Sequence, residues 1–425
     1  MESAATTVAG TVLSGSTLGR DSSGRITEKT ENIGGITSHY AYTYDQLGRL
    51  LTVTRDGALL EEYAYDNNGN RISENNVLLG ISRTLTHSIE DQTITAGGVT
   101  YQHDPDGRLL SRTEGTATTQ YAYAGTGELL SVTLPDNRVI SYINDALGRR
   151  IVKKIDNVVV EKYLWSGLTT LLAVYDGNDT LLQRFEYADD RVPLAMTAAG
   201  QRYHLHYDQI GSLRLVTDAF GAILKEIAHD GFGNILSDSN PALTLPLGFA
   251  GGLHDRDTGL IRFGHRDYLP ELGKWTAKDP IGFAGGDANL YGYVGADPVS
   301  WVDPEGLAAM IINLGRPPVT SSYTNPHGPG QQTFQVQPMG TSVTTTHDPD
   351  TIIFNDGSVV KIPDGSIIVI TDSSVINTYE PSDIEKISPL SQLIDSYMNL
   401  PVKFGPRYIH DPAKEFGGPV GRGCK

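Results

Sequence analysis

One phrase returns along this chain, and that return limits the fold more than any other property. Tyr44-Asp45-Gln46-Leu47-Gly48-Arg49-Leu50 recurs as Tyr65-Asp66-Asn67-Asn68-Gly69-Asn70, His103-Asp104-Pro105-Asp106-Gly107-Arg108 and Asn144-Asp145-Ala146-Leu147-Gly148-Arg149. It recurs again as Tyr207-Asp208-Gln209-Ile210-Gly211 and His229-Asp230-Gly231-Phe232-Gly233-Asn234. Tyr123-Ala124-Gly125-Thr126-Gly127 is a degenerate copy, Trp165 and Tyr187 keep the phase without the turn residues, and Asp21-Ser22-Ser23-Gly24-Arg25 lies slightly out of step. A fixed period is the mark of a stacked or winding repeat architecture.

Each unit can be read physically. Tyr40, Tyr42 and Tyr44 alternate, as do Tyr63 and Tyr65, which places each set on one face of a strand. Asp-x-x-Gly suits a turn, with Asp bonding backbone N–H groups and Gly taking a positive φ. A second strand follows, such as Leu50-Leu51-Thr52-Val53-Thr54, and Asp56-Gly57 turns the chain back. About twenty-one residues thus make one β-hairpin, and successive hairpins predict a long antiparallel sheet.

Composition agrees: 47 Gly and 21 Tyr in 425 residues favour strands and turns. A formal charge of −17, with no run of Lys and Arg, argues against nucleic-acid binding by the repeat region. Cys424 is the single cysteine, so neither an internal disulfide nor a Cys-rich zinc site is expected. No cofactor or metal site is expected. The first residues, MESAATTVAG, lack a basic and apolar leader, and no apolar run reaches membrane-spanning length. We therefore expect synthesis in the cytoplasm without a signal peptide, followed by export through a dedicated machine.

The repeat ends at a junction, Asp279 to Leu307, in which two Asp-Pro-x-Gly elements bracket a Gly/Tyr-rich run. The upstream repeats resemble the YD repeats of the Rhs family, found also in teneurins and in the C components of insecticidal toxin complexes. Gly248-Phe249-Ala250-Gly251, Asp257-Thr258-Gly259-Leu260, Arg266-Asp267-Tyr268, Gly273-Lys274-Trp275, Asp279-Pro280-Ile281-Gly282, Asn289-Leu290-Tyr291 and Asp303-Pro304-Glu305-Gly306-Leu307 resemble, in order, the Rhs repeat-associated core. The resemblance covers residues 20 to 307. It departs where His265-Arg266-Asp267-Tyr268-Leu269-Pro270 replaces Ala-Arg-Tyr-Tyr-Asp-Pro and Lys274-Trp275 replaces Arg-Phe. It implies a mainly β fold, a spiralling antiparallel sheet of YD hairpins forming a partial shell and closed by a core plug. A small separate α+β domain would follow. The expected domains are a hairpin array over 1–240, the core over 241–307 and a variable C-terminal domain over 308–425.

Two carboxylates that share a proton can hydrolyse a peptide, one activating water while the other polarises the carbonyl. The resemblance assigns this pair to Asp279 and Asp303, with Arg266 as the cation that holds one carboxylate ionised or binds the developing oxyanion and Leu307-Ala308 as the bond cut. On turn chemistry alone the inert turn is the favoured reading of both elements, and the resemblance reverses that preference. Asp297-Pro298 lacks the Gly and reads as a plain turn; Asp255, Asp257 and Asp287 read as turn or surface acids.

Beyond Ala308, Val359-Val360-Lys361-Ile362 and Ser366-Ile367-Ile368-Val369-Ile370 read as a hairpin around Pro363-Asp364-Gly365, and Ser382-Asp383-Ile384-Glu385 as a helix-opening box. Ten or so hairpins supply about 100 Å of sheet width. A guest the length of residues 308–425 has a radius of about 17 Å and needs a circumference of about 140 Å. The expectation is therefore a portion of a larger shell, or a cassette supplying a tip and guest. The resemblance implies delivery of this C-terminal segment as the module's own guest, a toxin acting between bacteria or on a host, with self-cleavage. An immunity protein and secretion-system components would be its partners. The competing reading is a non-catalytic cell-surface scaffold for protein or carbohydrate interaction.

Overall fold

The computed structural model describes residues 2–8, 11–187 and 191–307, and beyond them the backbone of short strands between Met310 and Tyr379. Residues 1–315 form one compact unit and 316–425 another, so the repeats and the core share a single unit. The first unit is built on a 23-stranded sheet running from Glu2–Val8 to Ile235–Asp238. Every pairing in it is antiparallel and joins sequence neighbours, from the first strand pair to Ile223–His229 with Ile235–Asp238. The end strands are not paired with each other, so the sheet is open. Among the described residues there is no α-helix, only three single 3-10 turns.

The repeated phrase has a structural reason at every position. In Asp45–Arg49 the Gly48 N–H donates to the Asp45 carbonyl at 3.1 Å, and Gly48 takes φ +88°. Asp45 Oδ1 accepts the N–H groups of Leu47 and Arg49, while Oδ2 takes the Arg49 guanidinium at 2.6 Å. Arg49 then reaches onward to the Asp66 carbonyl of the next turn and lies over the Tyr65 ring at 4.9 Å. The Tyr reaches the other way: Tyr44 Oη donates to the Ile26 carbonyl at 2.6 Å. In this copy Asp closes the turn, Arg staples it forward and Tyr staples it back.

Decayed copies keep the geometry. Ala124 forms the same turn with Gly127 and Glu128 through backbone alone. Trp165 Nε1 donates to the Arg150 carbonyl at 2.7 Å and Tyr187 Oη to the Leu171 carbonyl at 2.8 Å, repeating the backward bond of Tyr44. The out-of-step Asp21 turn has the full set of bonds; its wider spacing is absorbed by the longer strands Ile26–Ile33 and Ile36–Tyr44.

The sheet curls until early strands meet late ones. Arg214 pairs with Glu31 at 2.7 Å, Asn76 bonds Asp230 at 3.0 Å, and the Gly231 N–H donates to Glu61 at 3.0 Å. Inside the curl sits the core segment, whose four-stranded sheet runs from Leu253–His254 to Lys274–Trp275. Its Leu260, Leu269 and Leu272 pack with Leu85, Tyr101, Tyr121 and Ile140 of the repeats. Phe249, Phe263, Tyr268, Trp275 and Tyr293 form its own aromatic centre. Core polar groups dock on the repeat turns: Lys274 Nζ donates to the Asp91 carbonyl at 2.8 Å, and Tyr291 Oη to the Gly107 carbonyl at 2.7 Å. The core segment thus docks against an open hairpin sheet, as in a partial shell.

The turn of the expected hairpin, Pro363-Asp364-Gly365, lies outside the described residues. Val359–Lys361 pairs with Thr351–Ile353, and Ile367–Asp372 pairs with Val375–Tyr379. The helix expected from Ser382 lies outside the described residues.

Candidate active site

Both Asp-Pro-x-Gly elements form turns of the same kind. Gly282 N–H donates to the Asp279 carbonyl at 3.0 Å and Gly306 N–H to the Asp303 carbonyl at 3.3 Å. One oxygen of each carboxylate is held by its own turn: Asp279 Oδ1 accepts the Ile281 N–H and Asp303 Oδ1 the Leu307 N–H, each at 2.9 Å. The other oxygens converge on one nitrogen. Arg266 Nη2 lies 2.9 Å from Asp279 Oδ2 and 3.2 Å from Asp303 Oδ2, which places the two oxygens at most about 6 Å apart. The fold therefore brings together all three side chains singled out in the sequence.

Arg266 is positioned by the strand Arg266–Leu269 and stacks over the Trp275 ring at 4.2 Å. Its Nε donates to the Gly306 carbonyl, and Nη1 to the Leu290 carbonyl at 3.4 Å. Trp275, which replaces the smaller family aromatic, is the surface that holds the guanidinium flat. Arg266 and Asp303 are both buried. Burial raises the Asp279 pKa above the ordinary carboxylate value; Arg266 opposes that rise and the Asp303 charge adds to it. One cation facing two carboxylates leaves an excess negative charge, and a shared proton relieves it.

Leu307 is held in the same place. Its N–H is bound by Asp303, and its carbonyl oxygen packs on Gly285 beside Asp279 Oδ2. A cavity of about 40 Å³, lined by Arg266, Asp279, Gly285, Asp287, Asp303 and Leu307, adjoins them. That is room enough for water. Ala308, the other side of the expected scissile bond, lies outside the described residues. Among the described residues no group of His, Cys, Asp and Glu is arranged to hold a metal ion, and no helix is long and apolar enough to cross a membrane.

Three acids read in the sequence as turn acids hold their turns and also have a second environment. Asp287 bonds the Asn289 N–H as a turn acid does, yet it also lines the cavity. Asp255 holds a turn but is buried, where it accepts Lys153 at 2.9 Å and Tyr142 at 2.7 Å and anchors the core to the repeats. Asp297 caps Ser300 at 3.1 Å as a turn residue, but burial pushes it up to about 6. Gly285 was missed altogether; the paired glycines Gly285-Gly286 were its one trace in the sequence.

The teneurin YD-shell family model matches residues 2–299. Teneurin-3 of Danio rerio is 30% identical over 315 residues, covering 70% of this chain and 11% of the relative. A double-stranded DNA deaminase toxin A of Burkholderia cenocepacia is 29% identical over 331 residues, covering 68% of this chain and 22% of that one. The tRNA3(Ser)-specific nuclease WapA of Bacillus spizizenii is 28% identical over 282 residues, covering 64% and 12%. The chain thus spans about a tenth to a fifth of the length of these relatives. Among solved structures, TcdB2-TccC3-TEV aligns with a TM-score of 0.37 at 19% identity, covering 72% of this chain and 21% of that one. With its Tyr-Asp turns, winding hairpin sheet and docked core, this chain belongs to the teneurin YD-shell family.

Proposed function

We propose that this chain is an Rhs-type encapsulation and delivery module that frees its C-terminal polypeptide by one intramolecular hydrolysis at Leu307-Ala308. The observation that carries this reading is the convergence of Asp279 Oδ2 and Asp303 Oδ2 on a single Arg266 nitrogen beside the Leu307 carbonyl. In the proposed step Asp279 holds the proton and Asp303 is ionised. Asp303 takes a proton from water as the water oxygen bonds to the Leu307 carbonyl carbon, and Asp279 hydrogen-bonds the carbonyl oxygen as its charge grows. The C–N bond to Ala308 then breaks, the nitrogen gains a proton from the pair, and a Leu307 carboxyl and an Ala308 amine remain. Arg266 keeps both carboxylates and the Gly306 peptide in register.

Delivery rests on kinship with one protein named a double-stranded DNA deaminase toxin and another named a tRNA3(Ser)-specific nuclease. We read residues 308–425 as the guest, exported with its shell and matched by an immunity partner in the producing cell. The alternative is a surface scaffold with an inert junction. Arg266 bridging two carboxylates favours it, because a buried ion-pair triad can serve structure alone. Mass measurement on the purified chain separates the two. Cleavage predicts a fragment beginning at Ala308 that is absent from Asp279→Asn and Asp303→Asn; an intact 45.9 kDa wild-type chain would contradict it.

A further inference from the structure

The 3-10 turn Gly282–Gly285 forms one wall of the cavity. Its glycines are required for different reasons. Gly282 takes φ +58° and the following Gly286 takes φ +87°, and neither has a neighbour where a side chain would begin. Those two serve backbone conformation. Gly285 has no positive φ. Instead, a Cβ there would lie 2.7 Å from the Leu307 carbonyl oxygen and 2.8 Å from Asp279 Oδ2. Both approaches are closer than carbon and oxygen tolerate, and the atoms obstructed are the expected scissile carbonyl and an expected catalytic carboxylate.

We propose that Gly285 is a positioning residue for the self-cleavage described above, on which this inference rests. Its bare Cα is the seat that lets the Leu307 carbonyl and the Asp279 carboxyl approach each other. A hydrogen bond from Asp279 to the carbonyl oxygen needs the two oxygens within about 3 Å, and only a residue without a side chain leaves that space open. A methyl group at 285 acts as a wedge. It adds no charge, removes no hydrogen bond and strains no backbone angle, yet it displaces the carbonyl, the carboxylate or both by several tenths of an ångström. Attack geometry is steep in this range: a misplacement of about 1 Å can cost about 100-fold in rate.

The experiment compares the full chain in three forms: wild type, Gly285→Ala and Gly286→Asn, a residue type that tolerates the left-handed region. Cleavage at Leu307 is followed by intact mass against time, with thermal melting in parallel. The expected result is cleavage slowed by about 100-fold in Gly285→Ala, with melting close to wild type and wild-type cleavage in Gly286→Asn. The pH dependence of the residual rate should keep its midpoint, because the carboxyl pair and Arg266 remain; general loosening of the site would move it. Wild-type cleavage in folded Gly285→Ala overturns the inference, whereas an uncut wild-type chain overturns the hydrolysis itself. If Gly285→Ala does not fold, a structure of uncut Asp303→Asn decides: the Leu307 carbonyl oxygen is expected within van der Waals contact of Gly285 Cα, about 3.5 Å. A carbonyl lying elsewhere overturns the inference.

Discussion

The repeat turn and the junction turn use aspartate in the same way and reach different ends. In both, Oδ1 accepts N–H groups of its own turn and Oδ2 meets an arginine. Asp45 has Arg49 to itself, four residues on and in the same turn. Burial works against Asp45, but the bonds and charge of Arg49 outweigh it and hold the carboxyl below the ordinary range. Asp279 must share Arg266 with Asp303, and there burial prevails and raises the pKa. Arg49 serves one carboxylate of its own turn, whereas Arg266 serves two from different turns. On the proposed reading, the two turns differ in how many carboxylates one arginine serves and not in turn geometry.

Breaking the shared cation should have the largest effect. Arg266→Met leaves two buried carboxylates without their counter-ion, an expected loss of about 3–5 kcal/mol in stability together with all cleavage. Denaturant melts and intact mass measure the two. Next, acidity should separate the two kinds of aspartate. A raised folded pKa means that Asp279 favours folding while protonated, a contribution present at low pH and lost as pH rises through that pKa. The same proton is the one the hydrolysis requires, so the cleavage rate should fall as pH rises through that pKa. A rate that climbs with pH would transfer the chemistry to another group.

Smaller effects belong to the repeats. Asp45→Ala removes two backbone caps and an ion pair to Arg49 and should cost about 1–2 kcal/mol without changing cleavage. Ala124→Asp should do the reverse. It restores the missing carboxylate to a turn that closes on backbone alone, for a gain of about 0.5–1 kcal/mol by chemical denaturation.

Most of the scaffold was legible because its determinants are local. An Asp, a Gly three residues on and an alternating Tyr pair are read within one hairpin, and the phase of Trp165 was enough to place a turn whose residues had changed. The turns at Asp176 and Asp218 use the same carboxylate caps, yet they lie at the opposite edge of the sheet and out of phase with the Tyr series, so the repeat did not reveal them. The site was legible only in part. Asp279, Asp303 and Arg266 could be named from the junction, but the burial of Asp255 against Lys153 depends on a partner 102 residues away. The contact at Gly285 likewise depends on how the Asp303 turn folds back on the Asp279 turn.

The comparison is tested most directly by making one chemical change at both kinds of turn. Asp279→Asn and Asp45→Asn each replace a single carboxylate oxygen by an amide, and intact mass spectrometry of the full chain reads the consequence. The account predicts that Asp45→Asn is cut after Leu307 as wild type is, while Asp279→Asn remains at 45.9 kDa. Cleavage of Asp279→Asn at the wild-type rate, or a wild-type chain that stays whole, would contradict it.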